Sequence, residues 1–489
     1  MAINLVRNSK VFFTTNIDTS GVIKSSTATA FSAANTTEIQ VLDGFTFSQN
    51  VTNETVTTSE AGTAPVRGQR AFNTALAPVD FSFSTYLRPK LVTGSPDKTT
   101  SEDSVLWNAL LSDTIIGSTS ITGVSAVAVT TAGVMTITGT AMATLPATGD
   151  LITLSGFATT TPAGSDKYLN GAGTVTGTPS TTSITVQLLN YNAAAAVTAV
   201  TFATATTLKW TKAAWAESNA TYSQVTTGLS DKNQLQKCGF LFLVDNVMYA
   251  VDNAALTQVT IDFGIDAIAT AQWTGQATAL RQFDTGVTLN AGAFVAGTAA
   301  GVATGGYTPK VTTAPYITNK LSTVVLTATK AIGNSVTAGD AYVVPITGGS
   351  FTYSNNITYM TPAILGVVNQ PTIYYTGARS VSGSLTAYLR TGGSKDTGEL
   401  LSDLLLEAGT AVEPMFGLIV NIGGVTTATA RVSLDMPAVV LGVPAINVEQ
   451  VISTTINFNA QGYTPNVTVG STAFDLTKAT DLAVRYYGI

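Results

Sequence analysis

The most regular feature of the chain is an alternation of apolar and polar residues with a period of two. Val134–Thr138 and Ser183–Leu188 are clear examples, and Thr, Val, Ala and Gly dominate throughout. Alternation rich in β-branched residues is typical of strands with one buried face. Helix signals occur in Ser101–Leu111, where Ser101 could cap the first turn, and in Thr397–Glu407, which Gly409 follows. We therefore predict an all-β-dominated fold with two helices.

This pattern of strands and helix occurs twice along the chain. Phe45–Thr52 resembles Phe351–Thr358, and Ser82–Arg88 resembles Ser384–Arg390, each time in the same order and followed by a helix. The repeat is too long for a solenoid unit, so it predicts two tandem copies of one domain. The repeated positions that we expect in the two cores are Tyr86, Leu106, Leu110, Tyr388, Leu400 and Leu404.

The first copy is longer because it contains an insertion of distinct composition. Between Gly117 and Thr207 the charged residues are Asp150, Asp166 and Lys167 alone, and short alternating runs are separated by turn residues. A segment of this size and pattern suits an immunoglobulin-like β-sandwich. The predicted organisation is a discontinuous first module (1–116 and 208–290), an inserted immunoglobulin-like β domain (117–207), a Gly- and Ala-rich linker (291–317) and a second module (318–489).

Composition excludes much of enzyme chemistry. The chain has no histidine, which removes the commonest general base, and one cysteine, Cys238, which lies in an apolar run and is expected to be buried. Asp262 and Asp266, with nearby Asp245 and Asp252, could suggest a calcium site, but the alternation of Asp262–Asp266 with apolar residues favours a half-exposed strand. We therefore predict no catalytic, cofactor-binding or metal-binding residue, no cofactor and no enzymatic activity.

Charge and targeting signals narrow the class further. Charged residues make up 11% of the chain, against roughly 25% in an average protein, and the net charge is −6. An acidic chain is poorly suited to sequence-specific nucleic-acid binding, which depends on basic patches. Met1–Lys10 shows no signal-peptide pattern, and no apolar run is long enough to span a membrane. We expect a soluble chain made in the cytoplasm.

One connection between strands contains three charged residues, Glu60, Arg67 and Arg70. This connection, Ser59–Asn73, contains Gly and Pro. It could be a solvated loop or a protruding arm that docks on a neighbouring subunit. Opposite charges at such an arm would favour one docking register. The candidate subunit-interface residues are Glu60, Arg67, Arg70 and Phe72.

Several strings resemble the tail tube proteins of long-tailed (siphovirus-type) bacteriophages, of the duplicated kind that forms trimeric rings. These strings are Glu60-Ala-Gly, Pro65, Arg67-Gly, Phe72-Asn, Ser82-Phe-Ser-Thr-Tyr86, Pro345-Ile-Thr-Gly-Gly349, Asn356-Ile-Thr-Tyr359-x-Thr-Pro362 and Gly383-Ser-Leu-Thr-Ala-Tyr-Leu389. The resemblance covers most of both copies but not the insertion. It implies two tail-tube modules, each a β-sandwich or partial barrel with one flanking helix.

The resemblance also implies a function. A tail tube subunit is a structural virion protein that polymerises as stacked trimeric, pseudo-hexameric rings around a channel for DNA ejection. Its partners would be further copies of itself, the tail terminator, tail-tip or baseplate proteins, the tape measure protein in the lumen, and viral DNA in transit without sequence-specific binding. The inserted domain is a candidate for contact with host-surface glycans. An acidic lumen would repel DNA phosphates. The alternatives are a carbohydrate-binding surface adhesin and a virion-associated glycosidase.

Overall fold

The computed structural model is built almost entirely of antiparallel β-sheet, which confirms the predicted fold class. Neither α-helix in the described part of the chain is long and apolar enough to cross a membrane. The structure describes the whole chain except residues 1–8, 25–30, 43, 57–69, 93–94, 112–118, 122–123, 125, 131, 140–144, 147, 149–150, 156–168, 170, 189–207, 213–214, 218–221, 227–234, 246, 266, 286–287, 291, 296–304, 311–313, 329–330, 333–335, 366, 408–415, 425–429, 444, 448–451, 462–480 and 488–489.

The strands fall into three groups along the chain. Before the insertion they are β1 (Lys10–Thr14), β2 (Thr36–Ile39), β3 (Thr46–Val56), β4 (Arg70–Tyr86), β5 (Pro89–Val92) and β6 (Ser95–Ser101). Next come β7 (Thr119–Ile121), β8 (Ala126–Val129), β9 (Val134–Thr138), β10 (Leu151–Ser155), β11 (Gly171–Val175), β12 (Ser183–Leu188) and β13 (Leu208–Lys212). The rest are β14 (Trp215–Glu217), β15 (Tyr222–Thr226), β16 (Cys238–Val244), β17 (Val247–Asp262), β18 (Thr270–Ala277), β19 (Ala279–Thr285), β20 (Thr288–Asn290), β21 (Ala293–Val295), β22 (Gly305–Gly306), β23 (Thr323–Ala328), β24 (Ala341–Tyr342), β25 (Ile346–Ser354), β26 (Ile357–Met360), β27 (Ile373–Thr376), β28 (Ser380–Tyr388), β29 (Phe416–Ile422), β30 (Arg431–Leu441), β31 (Ala445–Asn447), β32 (Ser453–Ala460) and β33 (Ala483–Tyr487).

Two α-helices, α1 (Ser104–Leu111) and α2 (Thr397–Glu407), lie where the sequence predicts them. The bounds of α2 agree with the prediction, whereas α1 begins three residues later than predicted. Ser101 ends strand β6, and the carbonyl of Asp103 accepts the first helical hydrogen bonds, from the amides of Leu106 (2.9 Å) and Trp107 (3.1 Å). Asp103 rather than Ser101 therefore stands at the start of the helix. A 3₁₀ turn covers Asn319–Leu321.

The same order of strand pairing occurs twice. In the first part of the chain it runs β2-β1-β16-β17-β18-β4-β3, and in the second part β24-β23-β29-β30-β32-β28-β25. Ser82 pairs with Thr46 and Thr274, and its repeat partner Ser384 pairs with Ser350 and Asn457. These shared pairings support the proposed duplication.

The strand pairing changes the alignment of one part of the predicted repeat by two residues. Phe47 lies opposite Phe81, as Phe351 lies opposite Gly383, so Phe47 and not Phe45 occupies the level of Phe351. A shift of two residues keeps every side chain on its original face, so the alternating pattern cannot distinguish the two registers.

The two parts share one 19-stranded sheet through two junctions. Strand β17 of the first part also pairs with β25 of the second, from Gln258 opposite Ser354 to Asp262 opposite Ser350. Strand β33, in the C-terminal segment, lies between β30 and β15 and so joins the second part back to the first. A single hydrophobic core spans both parts.

The predicted core positions differ in how deeply they are buried. Leu106, Leu110 and Leu400 are fully buried and Leu404 nearly so, because they lie on the inner sides of the two helices. Tyr86 is half-buried against Tyr316, and Tyr388 is 47% exposed. Tyr388 is therefore not a core residue: Ala387 takes the buried position, and strand alternation turns Tyr388 to the other face.

The inserted region forms its own seven-stranded sheet in the order β7-β13-β10-β11-β12-β9-β8. It has a separate core that includes Met135, Ile137 and Ile184. Strand Leu208–Lys212, which the sequence analysis places in the first module, pairs with Ile152–Ser155 inside this sheet. We therefore move the proposed boundary of the insertion to the residue after Lys212.

Two aromatic residues of the predicted linker 291–317 are packed rather than loose. Phe294 and Tyr307 are buried, with ring centroids 4.9 and 5.1 Å from that of Phe12. Two aromatic rings at such distances contribute substantial apolar burial. These two residues therefore pack against β1 of the first part.

Each half has a buried aspartate on its long strand, paired with an arginine from the neighbouring strand. Asp252 lies opposite Ala279 and binds Arg281, two residues further on, at 2.6 Å. Asp435 lies opposite Ala483 and binds Arg485 in the same relation. Burial raises the pKa of Asp435, and Arg485 opposes that shift. A buried carboxylate of this kind needs its cation, so each pair fixes the position of one strand on the next.

A buried hydrogen-bond cluster joins the start of α1 to the C-terminal strand. The indole Nε1 of Trp107 donates to the hydroxyl of Tyr486 (2.8 Å), which donates to the Oδ2 of Asp103 (3.0 Å). Ser101 donates to the other oxygen of Asp103. Burial raises the pKa of Asp103 from 3.8 to about 6. The cluster connects the first part of the chain to β33.

We expect this cluster to make stability depend on pH. Because the pKa of Asp103 is higher in the folded state, its ionisation opposes folding, and stability falls as pH rises from about 4 to about 6. At about 1.4 kcal/mol per pKa unit, the total change is about 3 kcal/mol. Urea unfolding at a series of pH values should show this slope in the wild type and not in Asp103→Asn. Asp80→Asn, a change of an exposed carboxylate, is the control; an unchanged slope in Asp103→Asn would contradict the assignment.

Candidate assembly surface

Seven adjacent strands form one continuous sheet with a polar face. Their order is β3-β4-β18-β17-β25-β28-β32, so the sheet crosses from the first part to the second at the β17–β25 junction. Strand alternation places Ser, Thr, Asn and Gln on this face along every strand. Its members are Thr46, Ser48, Asp80, Ser82, Ser84, Gln258, Thr260, Asp262, Gln272, Thr274, Gln276, Ser350, Thr352, Ser354, Ser382, Ser384, Thr386, Thr455, Asn457 and Asn459, all exposed or half-buried.

Hydroxyl groups on this polar face contact one another across strands. Thr46 and Ser82 lie 2.8 Å apart between their hydroxyl oxygens, and Ser350 and Ser384 lie 3.1 Å apart. Thr260 and Thr352, 3.3 Å apart, make the same contact across the junction between the two parts. Cross-strand pairs of this kind stabilise a sheet by a few tenths to about 1 kcal/mol each.

The polar face has little charge, and all of it is negative. Among its members listed above, the ionisable side chains are Asp80 and Asp262, and no lysine or arginine is included. Both carboxylates are exposed, and Asp80 accepts a hydrogen bond from the amide of Gln276 (2.9 Å). Such a surface offers a phosphate backbone no cationic partner.

The opposite face of the same sheet is the core. Phe81, Phe83, Trp273, Phe351 and Phe458 are buried there. Trp273 meets Trp107 of α1 edge to face at 5.1 Å, so the helix lies on the side away from the polar face. One face of this sheet is thus solvated and the other is packed on the core, as is common in antiparallel sheets.

The two ends of this sheet are strand edges. In the described part of the chain, Thr46–Val56 pairs with β4 alone and Ala445–Asn447 pairs with β32 alone. Unpaired edge amides and carbonyls are templates for another strand. Val440 of β30 and Val443, which follows it, lie next to the second edge and are 40% and 51% exposed.

A hairpin formed by β26 and β27, which we call the second arm, packs on the first part of the chain. The hydroxyl of Tyr359 donates to the carbonyls of Asn253 (2.9 Å) and Gln276 (3.0 Å), and that of Tyr374 donates to the carbonyl of Leu235 (3.0 Å). Burial raises the pKa of both phenols, so they stay protonated donors. Near its tip, the Asn369 amide donates to the Thr74 carbonyl (3.1 Å).

The corresponding hairpin of the first part, which we call the first arm, comprises the paired distal ends of β3 (Val51–Val56) and β4 (Arg70–Leu76). Arg70 and Phe72 are exposed on it, whereas Glu60 and Arg67 lie outside the described residues. The charges of Ser59–Asn73 indicate the first arm, whereas Tyr359 and Tyr374 carry no comparable charge signal. The string Asn356–Pro362, read only as a family motif, marks the second arm and could have indicated it.

The described residues give no sign of a metal or catalytic centre. No group of three or more Asp, Glu or Cys side chains among them is placed to hold a metal ion. Asp262 is exposed on the polar face, and Asp266 lies outside the described residues. Cys238 is fully buried, and burial raises the pKa of its thiol. The main features of the described surface are strand edges, the two arms and the polar face.

Neighbouring residues Thr260 and Ile261 test which face of β17 is the core. Ile261 is buried, and we expect Ile261→Ala to lower the free energy of unfolding by about 2–5 kcal/mol. Thr260→Ala, on the polar face, should cost no more than about 1 kcal/mol. Equal losses in urea unfolding of the two variants would contradict the assignment of faces.

A known protein is similar in sequence to this chain. No family model matches the chain. The chain is 24% identical over 473 residues to the tail tube protein pb6 of Escherichia phage T5, an alignment that covers 94% of this chain and 73% of that protein. An alignment of this length extends over both halves of the repeat. It confirms the resemblance of this chain to the tail tube proteins of long-tailed bacteriophages.

Proposed function

We propose that this chain is the structural subunit of a phage tail tube, and that three copies close a ring whose channel is lined by the polar face. The observation that carries this proposal is the β17–β25 junction. There, one half of the chain adds its edge strand to the sheet of the other half, while in the described part of the chain an equivalent pair of edges stays open at the two ends. A ring forms when each open edge meets its complement on the next copy.

The junction within the chain supplies the register of the contact between copies. Thr260 lies opposite both Gln272 and Thr352. In the second half, Thr455 is the equivalent of Gln272. Ala445 lies opposite Thr455 and is therefore the equivalent of Thr260. In the same way Asp262 corresponds to Asn447. The equivalent of Thr352 is Ser48 and that of Ser350 is Thr46. The proposed contact therefore sets Ala445 of one copy opposite Ser48 of the next, and Asn447 opposite Thr46.

The number of three copies rests on the duplication together with the sixfold ring that the resemblance to tail tube proteins implies. If each chain supplies two similar modules, a pseudo-sixfold ring needs three chains, and stacking of such rings gives a tube. The polar face then forms the channel wall, where Asp80 and Asp262 repel phosphates and the hydroxyl rows offer neutral hydrogen bonds. DNA in ejection would pass without being held, and the tape measure protein would occupy the same lumen during assembly.

The remaining parts of the proposal concern location and partners. The protein would lie in the virion tail after synthesis in the host cytoplasm and act without covalent chemistry. Further copies of itself, the tail terminator and tail-tip or baseplate proteins would be its partners. The seven-stranded inserted region, with its own core, would be carried on the outside, where contact with host-surface glycans is open to it. The long alignment with a tail tube protein favours this function over an adhesin or a glycosidase.

Engineered cysteines test the ring contact. We expect Ser48→Cys and Ala445→Cys, combined in one chain, to form disulfides between copies and give trimers on denaturing gels. Thr260→Cys with Thr352→Cys is the matched control and should form a disulfide within one chain. The native thiol of Cys238 is buried and gives little background. Rings of another symmetry in end-on electron micrographs, or no bond between copies in assembled tubes, would contradict the proposed contact.

Charge reversal tests the role of the polar face. The double variant Asp80→Lys and Asp262→Lys changes this face from two negative to two positive charges per chain. Its tubes should retain double-stranded DNA at low salt and release it as salt rises, because such binding releases counterions. Wild-type tubes and the neutral Asp80→Asn, Asp262→Asn variant should retain little DNA. Equal retention by all three would mean that this face does not line the channel.

A further inference from the structure

The two arms are the same hairpin in two different settings. Strand β25 ends at Ser354, and Asn356, with a positive φ of 48°, redirects the chain so that the second arm folds over the first part. Strand β3 instead continues to Val56, with irregularities in its pairing between Gln49 and Val51 and between Thr52 and Asn53. The second arm has a binding surface within the chain. The apolar side chains Val51, Val56 and Phe72 of the first arm are 42–57% exposed.

Position along the repeat relates Phe72 to Tyr374. Phe72 precedes Ser82 by the same ten residues as Tyr374 precedes its counterpart Ser384. Tyr374 is 4% exposed and belongs to a buried cluster with Leu235, Ala255 and Tyr359, whereas Phe72 is 57% exposed. An aromatic side chain at one position of the hairpin is thus covered in one arm and uncovered in the other.

Strand register identifies the surface that corresponds to Ala255. Ala255 lies opposite Gln276, and Val440 lies opposite Asn459, the equivalent of Gln276 in the second half. The irregularity in pairing between β16 and β17 recurs at the same level between β29 and β30. Ala255 is fully buried beneath the second arm, and Val440 is 40% exposed. Each half therefore has an arm-binding position: the second arm covers the one in the first half, whereas Val440 in the second half is exposed.

We propose that Phe72 of one copy packs over Val440 of a neighbouring copy, as Tyr374 packs over Ala255 within the chain. This inference rests on the proposed self-assembly and names the contact that accompanies edge pairing. The partner is a second copy of this chain, because both members of the contact follow from the repeat, and because Val440 adjoins the edge that pairs with the next copy. The irregularities at Gln49–Asn53 are the place where the first arm would bend on docking.

Cross-linking in mixed assemblies tests the pair directly. Phe72→Cys and Val440→Cys are made in separate chains, mixed, assembled and treated with a mild oxidant. We expect a disulfide-linked dimer that contains one chain of each kind. Phe72→Cys mixed with Leu405→Cys, which places a thiol at an apolar residue of similar exposure on α2, should give at least tenfold less. Tubes that form without the Phe72–Val440 link would overturn the inference.

Substitution adds a second, independent measurement. Phe72→Asp should leave the circular dichroism and urea unfolding of the monomer unchanged, because Phe72 is exposed, and should raise the concentration needed for assembly at least tenfold. Val440→Lys in the same chain should restore part of that loss by pairing charges. Normal assembly of Phe72→Asp would refute the arm contact and leave the tube proposal standing. Failure of the wild-type chain to assemble at all would instead refute the tube proposal.

Discussion

The backbone pairing between β17 and β25 is the constraint on which the rest of the molecule depends. Over Gln258–Asp262 this pairing joins the sheets of the two halves directly, and it aligns their polar residues on one side and their aromatic residues on the other. Since a strand has a period of two, a slip of one residue would move Val259 and Ile261 out of the core. The second arm, the Asn355 side-chain bond to the carbonyl of Leu110 (2.7 Å) and strand β33 all hold the halves in this register.

The sequence contains enough to predict the fold class and the identity of the repeat. Alternation in segments such as Ser183–Leu188 indicates strands, and the string shared by Ser82–Arg88 and Ser384–Arg390 occupies equivalent strands of the sheet. Helix α2 has the predicted bounds because its capping and apolar spacing are purely local. Local signals of this kind are the ones that a single sequence carries most clearly.

What the sequence could not provide are features that depend on long-range pairing. Phe47 rather than Phe45 lies at the level of Phe351. The sequence could not show this, because both registers keep every side chain on the same face. Strand Leu208–Lys212 joins the inserted sheet because its partner is Ile152–Ser155, about 55 residues earlier in the chain. The buried pair Asp435–Arg485 joins residues 50 apart, and its relation to Asp252–Arg281 becomes visible only once Ala483 and Ala279 are seen opposite the two aspartates.

The rows of hydroxyl groups across the polar face also determine how its surface responds to its surroundings. Hydroxyls of serine and threonine do not titrate over the range in which proteins fold, and a hydrogen bond between neutral groups is not screened by salt as an ion pair is. The hydration of such a wall would therefore stay nearly the same in a dilute buffer, in concentrated salt or at mildly acidic pH. A surface of lysines, glutamates or histidines would change its character with each of these conditions.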